Sequence, residues 1–187
     1  IDTSFIPPGK EQAVITPPGV AHFLEHKLFE GEEGSVFETF ASLGASVNAY
    51  TTYGLTSYLF STTDNFYQCL ETLVDFVQNP YITEENVAKE QGIIAQEITM
   101  YDDNPSAAVY NNLLQAMYHQ HPVREKITGT VESVRGITPE ILYQCHSTFY
   151  HPENMILFAI GDIDPEMLMQ VVESRFQAQG QAVQGTI

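Results

Sequence analysis

Two histidines four residues apart, His22 and His26, with Glu25 between them, constrain this chain more than any other feature. The surrounding residues 20–29 contain no Gly or Pro and read as a helix. On a helix, positions i and i+4 lie on one face, about 5–6 Å apart at Cβ. That separation lets two imidazoles converge on one zinc ion, with zinc–nitrogen bonds near ~2.0–2.1 Å. Glu25 is three residues after His22 and adjacent to His26, so its carboxylate stands beside the same ion. Zinc lowers the pKa of a bound water to about 7. A carboxylate in that place can accept the water's proton as a general base and later return it to a leaving amine.

Two histidines leave such an ion in need of a third protein ligand and an open position for water. Glu90 and Glu97 are candidates. They are seven residues apart on an expected helix over 83–101, hence two turns apart on one face. Ile93 and Ile94 lie near that face, so the carboxylates can point inward, where an unpartnered charge is costly. Ligation of the ion by one, and a hydrogen bond to a ligand histidine from the other, would relieve the cost. Two solvated glutamates on an outer face would give the same spacing, and the pattern leaves both arrangements open.

The remaining sequence divides into separate strand and helix blocks. Pro7-Pro8-Gly9 and Pro17-Pro18-Gly19 are turn signals around a short apolar run. Ser35 and Glu38 form a candidate capping box for a helix over 36–43, which Gly44 ends. Ala45–Thr52 and Leu55–Thr62 are rich in Val, Tyr, Thr and Phe and read as two paired strands around Tyr53-Gly54. Asp64 opens a helix with Phe66, Leu70, Leu73, Val74 and Val77 at helical spacing, which Asn79-Pro80 ends. Thr83, with Glu84 and Glu85 behind it, opens the 83–101 helix. Further helices are expected over 106–119, 138–150 and 164–176. Met155–Ile160 reads as a buried strand. Separate blocks of this kind predict an α+β fold, a mostly antiparallel sheet flanked by helices.

The length of 187 residues suits one domain. We place that domain at 1–176 and read 177–187, rich in Gln, Gly and Ala, as a linker or cut end. The net charge of −17, with only 7 Lys and Arg, argues against nucleic acid, whose phosphates need a basic surface. It favours neutral or cationic peptide partners, or merely aids solubility. No apolar run is long enough to cross a membrane. Cys69 and Cys145 match no cysteine-based metal or redox spacing, and reduced thiols in a cytoplasmic protein are expected.

The stretch Gly19–Phe29 resembles the active-site helix of the pitrilysin, insulin-degrading enzyme and mitochondrial processing peptidase family, the inverzincin zinc peptidases. The similarity continues through Leu43-Gly44-Ala45, Asn48-Ala49-Tyr50-Thr51 and Glu90–Glu97. It extends to His121-Pro122, Gly129-Thr130-Val131-Glu132, Ile137-Thr138, Tyr150–Met155 and Gly161-Asp162. It covers nearly the whole chain and is nearest to the bacterial, processing-protease-like members.

The resemblance implies that His22, His26 and Glu97 bind zinc and that Glu25 is the general base. Glu97 lies 71 positions after His26, a spacing of the family's order. Glu90 stands behind the ligands. Asn48, Ala49 and Thr51 lie on the strand that binds substrate, a peptide held as an added β-strand. The implied activity is that of a zinc metalloendopeptidase acting on peptides or small unfolded polypeptides through zinc-activated water. Family enzymes enclose peptides between two homologous halves, and the second supplies an Arg and a Tyr. A chain of this length holds only one half, starting after the initial strand of that half, and is expected to have little activity alone. The alternatives are a non-catalytic partner subunit, or a peptide-binding module of a two-half peptidase.

Overall fold

The computed structural model describes residues 4–7 and 9–176, so the linker reading of 177–187 lies outside the described residues. The chain begins with an antiparallel pair, β1 (Ser4–Phe5) and β2 (Val14–Ile15). Helix α1 (Val20–Leu28) follows from Gly19. A second short pair, β3 (Glu30–Gly31) and β4 (Gly34–Ser35), leads into α2 (Val36–Ser42). The Ser35 hydroxyl accepts the Phe37 N–H at 3.3 Å. That is the second N–H of the helix, so the expected reciprocal box with Glu38 is not completed.

The hairpin β5 (Ser46–Thr51) and β6 (Thr56–Ser61) pairs in one register, with Ala49 opposite Tyr58 and Thr51 opposite Thr56. Helix α3 (Phe66–Gln78) buries Leu70, Leu73, Val74 and Val77, four of the apolar positions that predicted it. Helix α4 (Glu84–Asp102) starts at Thr83, whose side chain exchanges hydrogen bonds with Asn86. Among the described residues, four α-helices follow: α5 (Pro105–Met117), α6 (Val131–Arg135), α7 (Pro139–Phe149) and α8 (Pro165–Arg175).

The α+β class holds, with helices dominating. Among the described residues the strands form three separate antiparallel pairs. One apolar cluster joins Phe23, Leu24 and Leu28 of α1 to Phe40, Phe76, Ile94, Ile98, Val134 and Leu142. Elements from both ends of the chain thus share one core. Each such side chain contributes roughly 1.5–3 kcal/mol when fully buried.

Met155–Ile160 does not form the buried strand expected. No strand is assigned there, and Ile156, Phe158 and Ile160 are 96%, 80% and 85% exposed. An apolar run is buried as a strand only where a neighbouring strand takes up its N–H and C=O groups. Among the described residues none does. Helix α5 forms as expected, yet none of its residues is buried.

The entry to α1 is held by a close approach of two backbones. Gly19 (φ 95°) and Gly129 (φ 70°) lie on loops that touch. A Cβ on Gly19 would come 2.5 Å from the Thr128 carbonyl oxygen, and one on Gly129 would come 2.3 Å from that of Pro18. The Ser133 hydroxyl donates to the same Pro18 carbonyl at 2.8 Å. Only residues without a Cβ allow this contact, and both positions also need positive φ. Gly19→Ala is therefore expected to destabilise the protein by about 2 kcal/mol or more. Urea unfolding of the full-length protein measures it, and a loss below about 0.5 kcal/mol would show that the loop yields without cost.

Candidate metal centre

Helix α1 serves core and site at once. Phe23, Leu24 and Leu28 face the apolar cluster, while His22, Glu25 and His26 lie on the side towards α4 and β5. Glu90, Ile94 and Glu97 share the opposing face of α4. Ile94 is fully buried and Glu90 nearly so, whereas Ile93 at the flank is 45% exposed. Of the two arrangements left open for the glutamates, the structure adopts the inward one.

Three donors converge. The Nε2 of His22 lies 3.6 Å from Glu97 Oε1, and the Nε2 of His26 lies 3.5 Å from Glu97 Oε2. The two imidazole centroids are 4.6 Å apart. One ligand atom from each of His22, His26 and Glu97 lies within 4.8 Å of the others. These separations are too long for good hydrogen bonds. They suit donors around one ion: two atoms each about 2.1 Å from a shared zinc stand roughly 3.4 Å apart at a tetrahedral angle.

The protonation state of His22 agrees with that use. Burial, with the charge of neighbouring His26, lowers the His22 pKa to about 4, so this imidazole is neutral near pH 7. Burial also disfavours charge on His26. The hydrogen bond and charge of Glu90, with the charges of Glu97 and Glu25, outweigh it and raise that pKa. Burial raises the pKa of Glu97 against the opposing pull of His26, and the nearby Glu25 and Glu90 charges add to the rise. Packing three carboxylates around two imidazoles is a crowding of negative charge that a divalent cation would relieve.

The ring nitrogens away from this convergence differ. His26 Nδ1 makes a 2.9 Å hydrogen bond with Glu90 Oε1, which fixes the ring and leaves Nε2 free to ligate. His22 Nδ1 is buried and has no hydrogen-bond partner. A donor set of two imidazoles and a carboxylate shared between them fits zinc by ligand type.

The other expected site residues lie on β5. Asn48 Oδ1 accepts the N–H of its neighbour Ala49 at 2.9 Å. Strand β5 pairs with β6 on one side, and among the described residues its other edge carries no strand. The Thr51 hydroxyl donates to Glu25 Oε2. A small cavity beside this point is lined by Pro17–Ala21, Thr51, Thr52 and Glu125–Ile127. Cys69 and Cys145 are buried free thiols outside the site, and burial pushes that of Cys145 up to about 12.

Sequence reasoning missed Lys27. This lysine is completely buried, and its ammonium pairs with Glu30 and donates to the Asn86 carbonyl at 3.3 Å. It ties α1 to the first turn of α4, the helix that carries Glu90 and Glu97. The only available signal was a cation inside an otherwise apolar turn. Thr56, Tyr58 and Tyr150 were also missed, since the hairpin register sets Thr56 opposite Thr51 and only the packing of the end of α7 brings Tyr150 to Tyr58.

The insulinase (peptidase family M16) model matches residues 8–131, and the model described as the peptidase M16 inactive domain matches residues 136–184. The chain belongs to the M16 insulinase family. It is 55% identical over 172 residues to the uncharacterized zinc protease YmfH of Bacillus subtilis, covering 92% of this chain and 40% of that protein. An uncharacterized zinc protease of Rickettsia bellii is 32% identical over 165 residues, covering 86% and 40%. Among solved structures, an M16-like peptidase from Alicyclobacillus acidocaldarius superposes with a TM-score of 0.90 at 49% identity, covering 96% of this chain and 43% of that one. The first half of the periplasmic protease PqqL from Escherichia coli gives 0.73 at 25% identity, covering 89% and 39%. The chain spans about 40% of the length of the curated relatives it matches.

If Glu97 ligates and Glu90 only orients His26, Glu97→Gln should weaken zinc binding more than Glu90→Gln. Outer partners are typically worth about 10–100-fold in metal affinity, so Glu97→Gln is expected to exceed that. Competition with a chromophoric chelator measures both, and equal or reversed losses would reject the assignment.

Proposed function

We propose that this chain is the zinc-binding half of a metalloendopeptidase that hydrolyses peptides or small unfolded polypeptides. The observation that carries the reading is the convergence of His22, His26 and Glu97 on one point, with Glu25 beside it. The printed names of the relatives, zinc proteases, support it. Zinc, when bound, supplies Lewis-acid polarisation of the scissile carbonyl and of the attacking water.

The protein's own residues do the remaining work. His22, His26 and Glu97 would hold the ion, and the Glu90 carboxylate keeps His26 turned with Nε2 towards it. The free edge of β5 would receive the substrate as an added strand, so main-chain hydrogen bonds align the scissile bond without dictating its side chains. Asn48 and Ala49 lie on that strand. Glu25 accepts a proton from the attacking water while the water oxygen bonds to the carbonyl carbon. The C–N bond then breaks, and Glu25 delivers the proton to the departing nitrogen. A homologous second half, from the same polypeptide or a partner subunit, would close over the peptide. The likeness to the first half of a longer protease supports that part of the reading.

Glu25→Gln in the full-length protein is expected to reduce peptide hydrolysis by about 10²-fold or more, the usual worth of a general base. Its zinc content, by metal analysis, should match wild type, whereas His22→Ala should lose the metal. Hydrolysis by Glu25→Gln at the wild-type rate would reject Glu25 as the base. Zinc retained by His22→Ala would reject the ligand set.

A further inference from the structure

Glu25 is almost buried, yet among the described residues only one group hydrogen-bonds its carboxylate: the Thr51 hydroxyl. An ionised carboxylate can only accept, so Thr51 must donate its single hydroxyl proton to Glu25. The Thr51 oxygen is then left to accept, and Thr56 Oγ1 lies 3.2 Å from it, directly across the hairpin. Tyr58, two residues beyond Thr56 on β6, is hydrogen-bonded oxygen to oxygen with Tyr150 at 2.8 Å. Both rings are partly buried, with Tyr58 against Phe29 and Phe76 and Tyr150 stacked on His146. Thr56 and Thr51 thus form a short row of hydroxyls that ends on one oxygen of Glu25. Rows of this kind align cooperatively, each donor strengthening the next.

We propose that Thr51 is a positioning residue that holds the Glu25 carboxylate in its working orientation, backed by Thr56, rather than a residue that grips substrate. The proposal rests on the reading of Glu25 as general base. A glutamate side chain has several rotamers, and only one of them faces the attacking water. One hydroxyl on the neighbouring strand selects that rotamer. Because Thr51 ends β5, the strand offered to the peptide is also the one that aims the base.

Thr51→Val keeps the shape and removes the hydroxyl, and Thr51→Ser keeps the hydroxyl. In the full-length protein, with one fluorogenic peptide that wild type cleaves, Thr51→Val is expected to lower kcat about tenfold or more, the usual worth of a hydrogen bond to a charged group. KM and zinc affinity should stay at wild-type values, and Thr51→Ser should restore most of kcat. Peptide affinity is read separately by adding Thr51→Val to Glu25→Gln, where the peptide survives, and it should not change. A wild-type kcat in Thr51→Val, a loss confined to KM or to peptide affinity, or a failure of Thr51→Ser to restore kcat would each overturn the proposal. If Thr51→Val does not fold, Thr56→Val, one hydroxyl further from Glu25, replaces it. The expectation there is a smaller loss in kcat alone, and an unchanged kcat would overturn the proposal. Activity persisting in Glu25→Gln would sink the general-base reading itself, a result distinct from all of these.

Discussion

Everything in this molecule depends on how α1 is packed. Within nine residues it inserts Phe23, Leu24 and Leu28 into the core, and it buries His22, Glu25 and Lys27 as well. A buried charge is tolerated only when paired and hydrogen-bonded. Each polar residue of α1 therefore demands a partner from another element, and those demands arrange the neighbours. Lys27 takes Glu30 and the start of α4. His26 takes Glu90 from the middle of α4. Glu25 takes Thr51 from the end of β5. The helix is thus the hub of a polar framework as well as of the apolar core.

That arrangement accounts for the precision of the site. Helix α4 meets neighbouring residues of α1 twice, at Lys27–Asn86 and at His26–Glu90, about a turn apart along α4. Two contacts along one crossing leave little freedom for Glu97, two turns further on. Its carboxylate lies 3.5–3.6 Å from both imidazoles. The glycine contact between the Gly19 and Gly129 loops anchors the other end of α1. A site built on two clamped helices holds its geometry better than one built on loops.

Away from this framework the protein presents apolar surface. Ile156, Phe158 and Ile160 are open to solvent, and α5 shows Val109, Leu113 and Met117. Apolar faces of this extent are uncommon on a protein that works alone. They lie in a chain that spans about 40% of the length of its relatives.

Much of the site was legible in the sequence because its logic is local. Helical periodicity places His22 beside His26 and Glu90 in line with Glu97, and their donor types suit zinc. The helices were legible for the same reason: caps such as Ser35 and Thr83, breakers such as Asn79-Pro80, and apolar spacing act within a few residues. What periodicity leaves open is which face of α4 turns inward, because seven-residue spacing is identical on a buried and a solvated face. Only the packing of α4 on α1 decided that. The same limit governs Met155–Ile160, whose composition suits a strand but whose pairing depends on a neighbour. It governs Thr51 too: the hydroxyl and the carboxylate it aims are 26 residues apart. Contacts between elements are set by how the elements stack, and local rules of sequence carry no information about distances that arise only when separate pieces of chain share one core.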